Sequence, residues 1–291
     1  MKDKLYVGAM LTTGTRRDHA RLYIFDPAND IWNVMNTPVY YFAMTTYNND
    51  LIIVNGRQYI GNETSGPLTD KVLSFNCEWE EVQGVPTMNT KRCATSVVNH
   101  RHYLVVAGGY VDSGMSDIVE IFNGQLWVFG TSLPHPSVEM KSILHDGQWY
   151  LMGGRNQERN VYYVDLDSLI SRAAYKPNGL TEPSASVWKK LPHMPYKRSS
   201  PAVFGKRLVA VGGKPDLPGS FISSSAIHAY CAETRLWVLV GHLPNRLHSS
   251  CTVVLPNGEL MVIGGMVGYD TKLNKVHRAS LTGKSEYTVM F

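Results

Sequence analysis

Short apolar runs separated by turn residues recur along the whole chain. The clearest group lies within residues 196–244, where Gly205-Lys206 and Gly212-Gly213 interrupt the apolar pattern. It holds four runs: Ser200–Phe204, Arg207–Val211, Ala226–Tyr230 and Leu236–Val240. Runs of about five residues that are rich in β-branched and aromatic side chains and bounded by turns are typical of β-strands. The segment therefore predicts four consecutive antiparallel strands in one small sheet.

The same unit returns along the chain at a regular interval. A residue pair, usually Gly-Gly, ends the second strand of each copy, and an aromatic residue, usually Trp, marks the fourth strand. The pairs are Gly8-Ala9, Asn55-Gly56, Gly108-Gly109, Gly153-Gly154, Gly212-Gly213 and Gly264-Gly265, and the aromatic residues are Trp32, Trp79, Trp127, Trp188, Trp237 and Tyr287. The pairs begin at positions 8, 55, 108, 153, 212 and 264, so the intervals run from 45 to 59 residues. A small sheet with two apolar faces cannot bury itself, and the copies are therefore expected to pack on one another.

The paired glycines, the aromatic residues in phase with them and the strand pattern resemble the kelch repeat. The resemblance covers nearly the whole chain and is carried by all three features together. It implies an all-β fold, a six-bladed kelch β-propeller with four-stranded antiparallel blades. It also implies a single domain over residues 1–291 that contains six kelch repeats. One copy carries an insertion, Leu166–Ser186, in which Leu169–Ala174 is compatible with a short helix.

The two ends of the repeat array are irregular. Leu5–Ala9 takes the second-strand position of its copy, so the first blade is expected to lack its inner strand. Tyr287–Phe291 could serve as the outer strand of the last blade or as the inner strand of the first. We favour the outer strand, because Tyr287 takes the position of the repeating Trp. The missing inner strand is then expected upstream of Met1, since a bare strand edge invites unwanted pairing.

Composition narrows the class of protein. No stretch of 18 apolar residues is present, and the N-terminus lacks the apolar region of a signal peptide. The four cysteines are scattered without CxxC spacing, which favours buried free thiols in a reducing compartment. We therefore predict a cytoplasmic protein. The formal net charge of +4 is modest, so the placement of the charges matters more than their sum.

The predicted topology brings two sets of loop residues to one face. In a four-stranded meander, the loop after the second strand lies on the same side as the connection that enters the next blade. The residues after the pairs are Met10, Arg57, Tyr110, Arg155, Lys214 and Met266; those before the first strands are Tyr41, Lys91, Arg92, Val138, Lys197, Arg198 and Arg246, with His248 nearby. Eight of them are Lys or Arg, and none is Asp or Glu.

Two interpretations of these cations stay open at this point. Loop ends are polar in most proteins, and the charges could simply be solvated. Alternatively, cations gathered on one concave face create a positive potential that attracts acidic ligands and weakens with salt. Arginine forks suit carboxylates, and aromatic residues add contact area beside them. The candidate binding residues are Tyr41, Arg57, Arg92, Tyr110, Arg155, Arg198, Lys214, Arg246 and His248.

The family resemblance favours a binding function. Kelch propellers of ubiquitin-ligase adaptors bind short, often acidic peptides on this face, and Arg92, Arg198 and Arg246 match their basic positions, as Tyr110 matches the position after the glycine pair. Tyr41 and Val138 depart from the basic pattern, so the expected site is lopsided. We predict a monomeric protein-interaction module for a protein or acidic peptide, with the substrate receptor of a ubiquitin ligase as one form. No BTB or BACK adaptor domain is present in these residues.

Enzymatic, cytoskeletal and nucleic-acid-binding functions are the alternatives to a protein-interaction module. Some kelch-like propellers are metal-dependent oxidases or sugar epimerases, but the ten histidines are scattered and converge on no metal-ligand pattern. No catalytic residue, metal or cofactor is therefore predicted. An actin-associated or cytoskeletal scaffold remains an alternative. Nucleic-acid binding is disfavoured, because no basic run interleaved with aromatic residues accompanies the basic positions.

Overall fold

The computed structural model describes residues 5–9, 20–59, 66–76, 78–155, 157–173, 186–216, 222–255, 257–268, 271–273 and 276–280. Within these ranges nearly all regular structure is β-strand. The chain divides into two compact units: unit 1 comprises residues 1–140 and 165–188, and unit 2 comprises residues 141–164 and 189–291. A single domain over residues 1–291 stays a prediction.

Unit 1 contains three antiparallel sheets formed by consecutive parts of the chain. Sheet 1 has the strand order β1 (Leu5–Ala9), β2 (Arg21–Asp26) and β3 (Ile31–Asn36). The next strands are β4 (Val39–Tyr40), β5 (Ala43–Tyr47), β6 (Asp50–Val54), β7 (Arg57–Gln58), β8 (Val72–Asn76) and β9 (Glu78–Glu81). Sheet 2 has the order β5-β6-β8-β9, and the short strands β4 and β7 pair with each other.

The third sheet of unit 1 repeats this plan. Its region contains β10 (Ser96–His100), β11 (Tyr103–Ala107), β12 (Tyr110–Val111), β13 (Gly114–Met115), β14 (Val119–Phe122) and β15 (Trp127–Phe129). Sheet 3 has the order β10-β11-β14-β15, and β12 pairs with β13. Helix α1 (Leu166–Ser171) also belongs to unit 1, and the Asp165 carboxylate caps it by accepting a hydrogen bond from the Ser168 amide at 2.8 Å.

Unit 2 contains three further antiparallel sheets. Sheet 4 has the order β16 (Lys141–His145), β17 (Gln148–Met152), β18 (Val161–Asp165) and β19 (Lys189–Leu191). Sheet 5 has the order β20 (Ser200–Phe204), β21 (Arg207–Val211), β22 (Ser224–Cys231) and β23 (Leu236–Leu247). The last strands are β24 (Cys251–Val254), β25 (Glu259–Ile263), β26 (Met266–Val267), β27 (Thr271–Lys272) and β28 (Val276–Ser280). Sheet 6 has the order β24-β25-β28, and β26 pairs with β27.

The sheets of each unit bury their apolar faces against one another. In unit 1, Ile52 and Val54 of sheet 2 share a core with Leu104 and Phe122 of sheet 3. In unit 2, sheets 5 and 6 share one core, and sheets 4 and 5 share another. Sheet 5 is apolar on both faces because sheet 4 covers one face and sheet 6 covers the other, as expected for blades that cannot bury themselves alone.

The repeating tryptophans tie each outer strand to a segment that precedes it. In unit 1, the indole N–H groups of Trp79, Trp127 and Trp188 donate to the backbone oxygens of Asn36, Pro86 and Thr131 at 2.8–3.1 Å. In unit 2, Trp237 donates to the Pro192 oxygen at 3.1 Å. A buried indole N–H needs an acceptor, and these carbonyls supply one at the same place in each copy.

Most predicted strands are confirmed, with shifts of one or two residues at their ends. The chief exception is β23, which runs to Leu247 instead of ending at Val240. It lies at the edge of sheet 5, and an edge strand tolerates residues such as Pro244 because one of its sides needs no ladder hydrogen bonds. The helix begins at Leu166, three residues before the predicted position. Residues 287–291 lie outside the described ranges, and the number of blades stays a prediction.

Candidate functional site

One backbone position repeats with unusual geometry. Two residues before the first strand of each of sheets 2 to 6, a non-glycine residue adopts a φ between 53° and 57°. These left-handed positions are Tyr41, Ala94, Glu139, Arg198 and Ser249. A side chain in this conformation costs about 1–2 kcal/mol, so it persists only where the surroundings fix it, often at a ligand site.

Backbone hydrogen bonds connect successive left-handed positions within each unit. In unit 1, the Ala94 amide donates to the Tyr41 oxygen at 2.7 Å, and the Glu139 amide donates to the Ala94 oxygen at 3.0 Å. In unit 2, the Ser249 amide donates to the Arg198 oxygen at 3.0 Å. The main chain therefore holds these positions in place.

The residue after each marker pair lies against the segment that enters a first strand. The paired residues are Tyr40 with Arg57 and Cys93 with Tyr110 in unit 1, and Lys197 with Lys214 and His248 with Met266 in unit 2. The predicted juxtaposition of the two loop sets is thus confirmed at these four places. Hydrogen-bonded backbone, and not side-chain attraction, holds the two lysines side by side.

The structure corrects the prediction for Arg92, which is a core residue and not a ligand anchor. Its side chain is fully buried, and its guanidinium lies 3.0 Å from the equally buried Glu120 carboxylate. It also donates to the backbone oxygens of Gly108 and Ile118 at 3.0 and 2.8 Å. Arg92 precedes the left-handed Ala94 by two residues, so it lies at a different register from Arg198 and points into the sheet.

His248 is also buried, which corrects its prediction as a contact residue. It is fully enclosed in unit 2, and its Nδ1 lies 3.0 Å from the Ser223 hydroxyl. Lys214 is 8% exposed and is therefore nearly buried. Arg155, Arg198 and Arg246 are at the surface of unit 2, as predicted.

The candidate residues of unit 1 form a more aromatic region. Tyr41 is 42% exposed and its ring lies 5.3 Å from that of Tyr40. Tyr110 and Arg57 are half-buried, and the Arg57 guanidinium donates to the Gly66 oxygen at 2.8 Å. Arg57 is therefore partly committed to the protein's own backbone.

The basic cluster of unit 2 consists of Arg159, Lys197, Arg198 and Lys214, together with two carboxylates that the sequence did not indicate. Glu158 lies 3.2 Å from the Lys197 ammonium and 3.0 Å from the Arg198 Nε. Asp216 lies 3.6 Å from both Lys197 and Arg159. None of the predicted loop positions is acidic, but the fold brings these two carboxylates to them, and four cations outnumber two anions in the cluster.

Burial and neighbouring cations lower the pKa values of two groups in unit 2. Burial lowers the pKa of Lys214, and the neighbouring charges of Arg198 and Lys197 lower it further. Burial lowers the pKa of His248 to about 4, with Lys214 and Arg198 contributing in the same direction. Both side chains therefore lie in surroundings that disfavour a further positive charge.

The lowered pKa of His248 predicts acid sensitivity. Between about pH 4 and the ordinary value of 6.5, the unfolded chain binds a proton at His248 that the folded chain does not. Stability therefore falls as the pH is lowered through this window, by up to about 3 kcal/mol at its acid end. Urea unfolding at about pH 7 and about pH 4.5 measures the loss, which we expect to be smaller in His248→Asn.

The exposed His193 provides the control for this prediction. A His193→Asn variant is expected to keep the full acid sensitivity of the original protein. An equal acid sensitivity of the His248→Asn variant and the original protein would contradict the assignment.

Sequence reasoning missed Glu158, Asp216 and Lys141, which lie close to the predicted residues in unit 2. Glu158 and Asp216 lie a few residues after Gly154 and Gly213. Only the first residue after each marker pair entered the predicted set of loop residues, and the whole loop after the pair contains both carboxylates. Lys141 was visible as a charged residue at the start of an apolar strand.

No three His, Cys, Asp or Glu side chains come together as a possible metal site in the described ranges. No helix in the same ranges is long and apolar enough to span a membrane.

Comparison with known proteins bears on the family. No family model matches the sequence. The chain is 25% identical over 236 residues to Kelch-like protein 40 of Xenopus tropicalis, which covers 78% of this chain and 35% of that protein. It is 27% identical over 165 residues to Kelch-like protein 21 of Rattus norvegicus, which covers 54% of this chain and 26% of that protein. The chain thus spans little more than a third of the length of these Kelch-like protein 40 relatives.

A solved structure, "Structure of YjhT", matches the fold with a TM-score of 0.71 over 99% of this chain and 95% of that one, at 15% sequence identity. This likeness shows a β-propeller fold. The Kelch-like relatives and the in-phase repeat support a kelch-repeat propeller. The antiparallel four-stranded sheets are blades of the propeller. The left-handed positions lie where the chain enters the first strand of a blade.

Proposed function

We propose that this kelch propeller is a protein-interaction module that binds an acidic segment of a partner protein at the basic cluster of unit 2. The observation that carries the proposal is the excess of cations at the cluster, where Arg159, Lys197, Arg198 and Lys214 outnumber Glu158 and Asp216. The resulting positive potential favours carboxylates and speeds their approach.

The surface groups of the cluster suit a carboxylate ligand. Arg198 sits at a left-handed position, and its side chain is 52% exposed. Its hydrogen bond to Glu158 uses Nε, and no described residue accepts from the terminal N–H groups, whose geometry forms a fork for a ligand carboxylate. Lys197 lies beside it with a half-buried ammonium. A partner carboxylate would compete with Glu158 and Asp216, which favours segments with several acidic residues.

The remaining candidate residues have supporting parts in the proposal. Arg155 and Arg246 are exposed cations of unit 2 that extend the positive surface. Tyr41, Tyr110 and Arg57 of unit 1 are proposed as a contact region of their own for a partner protein, since aromatic rings commonly anchor partner chains. Arg92 is a buried residue of unit 1 and His248 a buried residue of unit 2, and neither is proposed to touch the ligand.

The experiment begins with a peptide-display selection on the intact protein. We expect enrichment of segments rich in Asp and Glu, whose binding weakens as salt is added. Against one selected peptide, the triple variant Arg155→Ala, Lys197→Ala and Arg198→Ala is expected to bind at least about tenfold more weakly, a loss of about 1.4 kcal/mol. Calorimetry or fluorescence anisotropy measures the affinity.

A matched variant removes the same charge elsewhere in unit 2. Lys189, Lys206 and Arg207 are exposed and lie outside the basic cluster. Their replacement by alanine is expected to change the affinity by less than about threefold, through the general fall in net charge alone. Equal losses in both triple variants, or a selection without acidic enrichment, would refute the proposed site.

The number of blades, the cellular setting and the role of the bound partner belong to the same proposal. We infer six blades, because the repeat has six copies and the described residues form six sheets of three or four strands. A cytoplasmic setting and binding without catalysis agree with an interaction module. A role as substrate receptor of a ubiquitin ligase is proposed as one use of the bound partner, and ubiquitin transfer to that partner would be its readout.

A further inference from the structure

A second group of polar residues lies at the start of the first strands of sheets 4, 5 and 6 in unit 2. Lys141 opens β16, Ser200 opens β20 and Cys251 opens β24, with Ser250 directly before it. We call these four residues the Lys141 cluster. The first strands pack side by side in this unit, since β20 contacts both β16 and β24.

The Lys141 ammonium is held by oxygen atoms from two neighbouring sheets. It donates to the Ser200 hydroxyl at 2.9 Å and to the Ser250 backbone oxygen. The Ser200 hydroxyl donates to the Ser250 backbone oxygen, and the two hydroxyls lie 3.0 Å apart. An ammonium has three N–H groups, and the described residues supply acceptors for two of them.

Lys141 has no carboxylate partner in the part of the chain that the structure describes. No carboxylate of the described residues lies within ion-pair distance of it, whereas Lys197 has two and the exposed Lys71 has one. The residue is half-buried as a whole, and the enclosure of its amine lowers the pKa of Lys141 because desolvation disfavours the charged form. Enclosed charges in proteins are normally paired, so this one lacks its usual complement.

The Lys141 cluster continues inward from the basic cluster. Ser200 follows Arg198 by two residues, and Ser250 follows the left-handed Ser249 directly. Lys141 also acts electrostatically on His248, along with Lys214 and Arg198. A ligand at the basic cluster therefore lies next to an enclosed, uncompensated ammonium.

We propose that the Lys141 cluster binds a single oxyanion group, with the Lys141 ammonium supplying the charge, the Ser250 hydroxyl donating a hydrogen bond and the Ser200 hydroxyl holding the ammonium in place. The favoured source of the oxyanion is an acidic side chain of the partner segment. If the oxyanion comes from a partner, this inference rests on the proposed function; if it is a free ion, it does not. A free carboxylate or phosphate ion is the other source of the same chemistry. Lys141 would then select where an acidic residue stands in the partner.

The test is an NMR titration of the whole chain with sodium acetate and with sodium phosphate, against sodium chloride at equal ionic strength. We expect saturable shifts of the Ser200, Ser250 and Cys251 amides with the oxyanions, and apparent affinities at least tenfold weaker in Lys141→Met. The exposed Lys206 supplies the matched control, and Lys206→Met is expected to titrate like the original protein. Absence of saturable shifts in the original protein, or their persistence in Lys141→Met, would overturn the proposal.

Two further arms separate the sources and guard against misfolding. A Glu-rich peptide that binds at least tenfold more tightly than acetate, and loses this advantage in Lys141→Met and in Arg198→Ala, assigns the oxyanion to a partner. Peptide binding that ignores Arg198 while acetate binding still requires Lys141 would reject the proposed function and keep the anion site. If Lys141→Met does not fold, Ser200→Ala with Ser250→Ala should weaken acetate binding at least threefold, and unchanged binding would count against the site.

Discussion

Replacement of Arg92 by alanine is expected to lower the free energy of unfolding by about 3–5 kcal/mol. The substitution leaves the fully buried Glu120 carboxylate without its cation and removes two hydrogen bonds to backbone oxygens. A buried charge without a partner is far more costly than a lost surface contact. Chemical denaturation followed by tryptophan fluorescence measures the change.

The charge itself, and not the lost volume, should account for most of this effect. In Arg92→Met with Glu120→Gln, both charges are gone, and a glutamine oxygen can still accept from the Asn89 amide that now bonds Glu120. We expect this double variant to recover at least half of the loss. As a surface control, Lys71→Ala breaks an exposed ion pair and should cost less than about 1 kcal/mol. A double variant as unstable as Arg92→Ala would show that shape, and not charge, dominates.

The second large effect is expected at the marker pair of sheet 5. A Cβ added at Gly212 would stand 2.5 Å from the Leu247 backbone oxygen, and the residue has a φ of +63°. Gly212→Ala should therefore combine a left-handed penalty of about 1–2 kcal/mol with an overpacking cost of about 1–3 kcal/mol. The expected total is a loss of about 2–5 kcal/mol in the free energy of unfolding.

Gly205 in the same sheet separates these two causes. It has a similar φ of +57°, and an added Cβ would meet nothing within 4 Å. Gly205→Ala should therefore lose only the conformational part, about 1–2 kcal/mol. If the two variants prove equally stable, the close approach of Leu247 does not contribute to the cost of Gly212→Ala. The glycine would then be required only for its left-handed backbone conformation.

The repeat explains why so much of the fold was predictable. The strands Ser200–Phe204 and Arg207–Val211 were found where the pattern placed them, because hairpin turns and apolar alternation are local properties. The tryptophan positions were equally clear, and their hydrogen bonds to preceding carbonyls follow from the packing of one blade on the next.

The candidate site was less predictable, because register decides whether a loop cation reaches solvent. Arg92 and Arg198 both precede a first strand and look equivalent in the sequence. The left-handed residue stands at Ala94 in one case and at Arg198 in the other, so one side chain is buried and the other exposed. The composition and charge of the segment before a first strand do not indicate which of its residues takes the left-handed position, and a shift of two residues is enough to bury an arginine.

The sequence by itself determined the class of fold, the repeating unit and the pairing of loops on one face, because each depends on short-range patterns repeated in phase. Only the tertiary structure decided which cations are surface groups, which carboxylates accompany them, and that Lys141 is held by Ser200 and Ser250 from other sheets. These outcomes depend on burial and on contacts between residues that are distant in the chain. The contacts of Lys141, for example, join residues about 60 to 110 positions apart. Desolvation and Coulomb interactions follow from such distances in space, which no local pattern records.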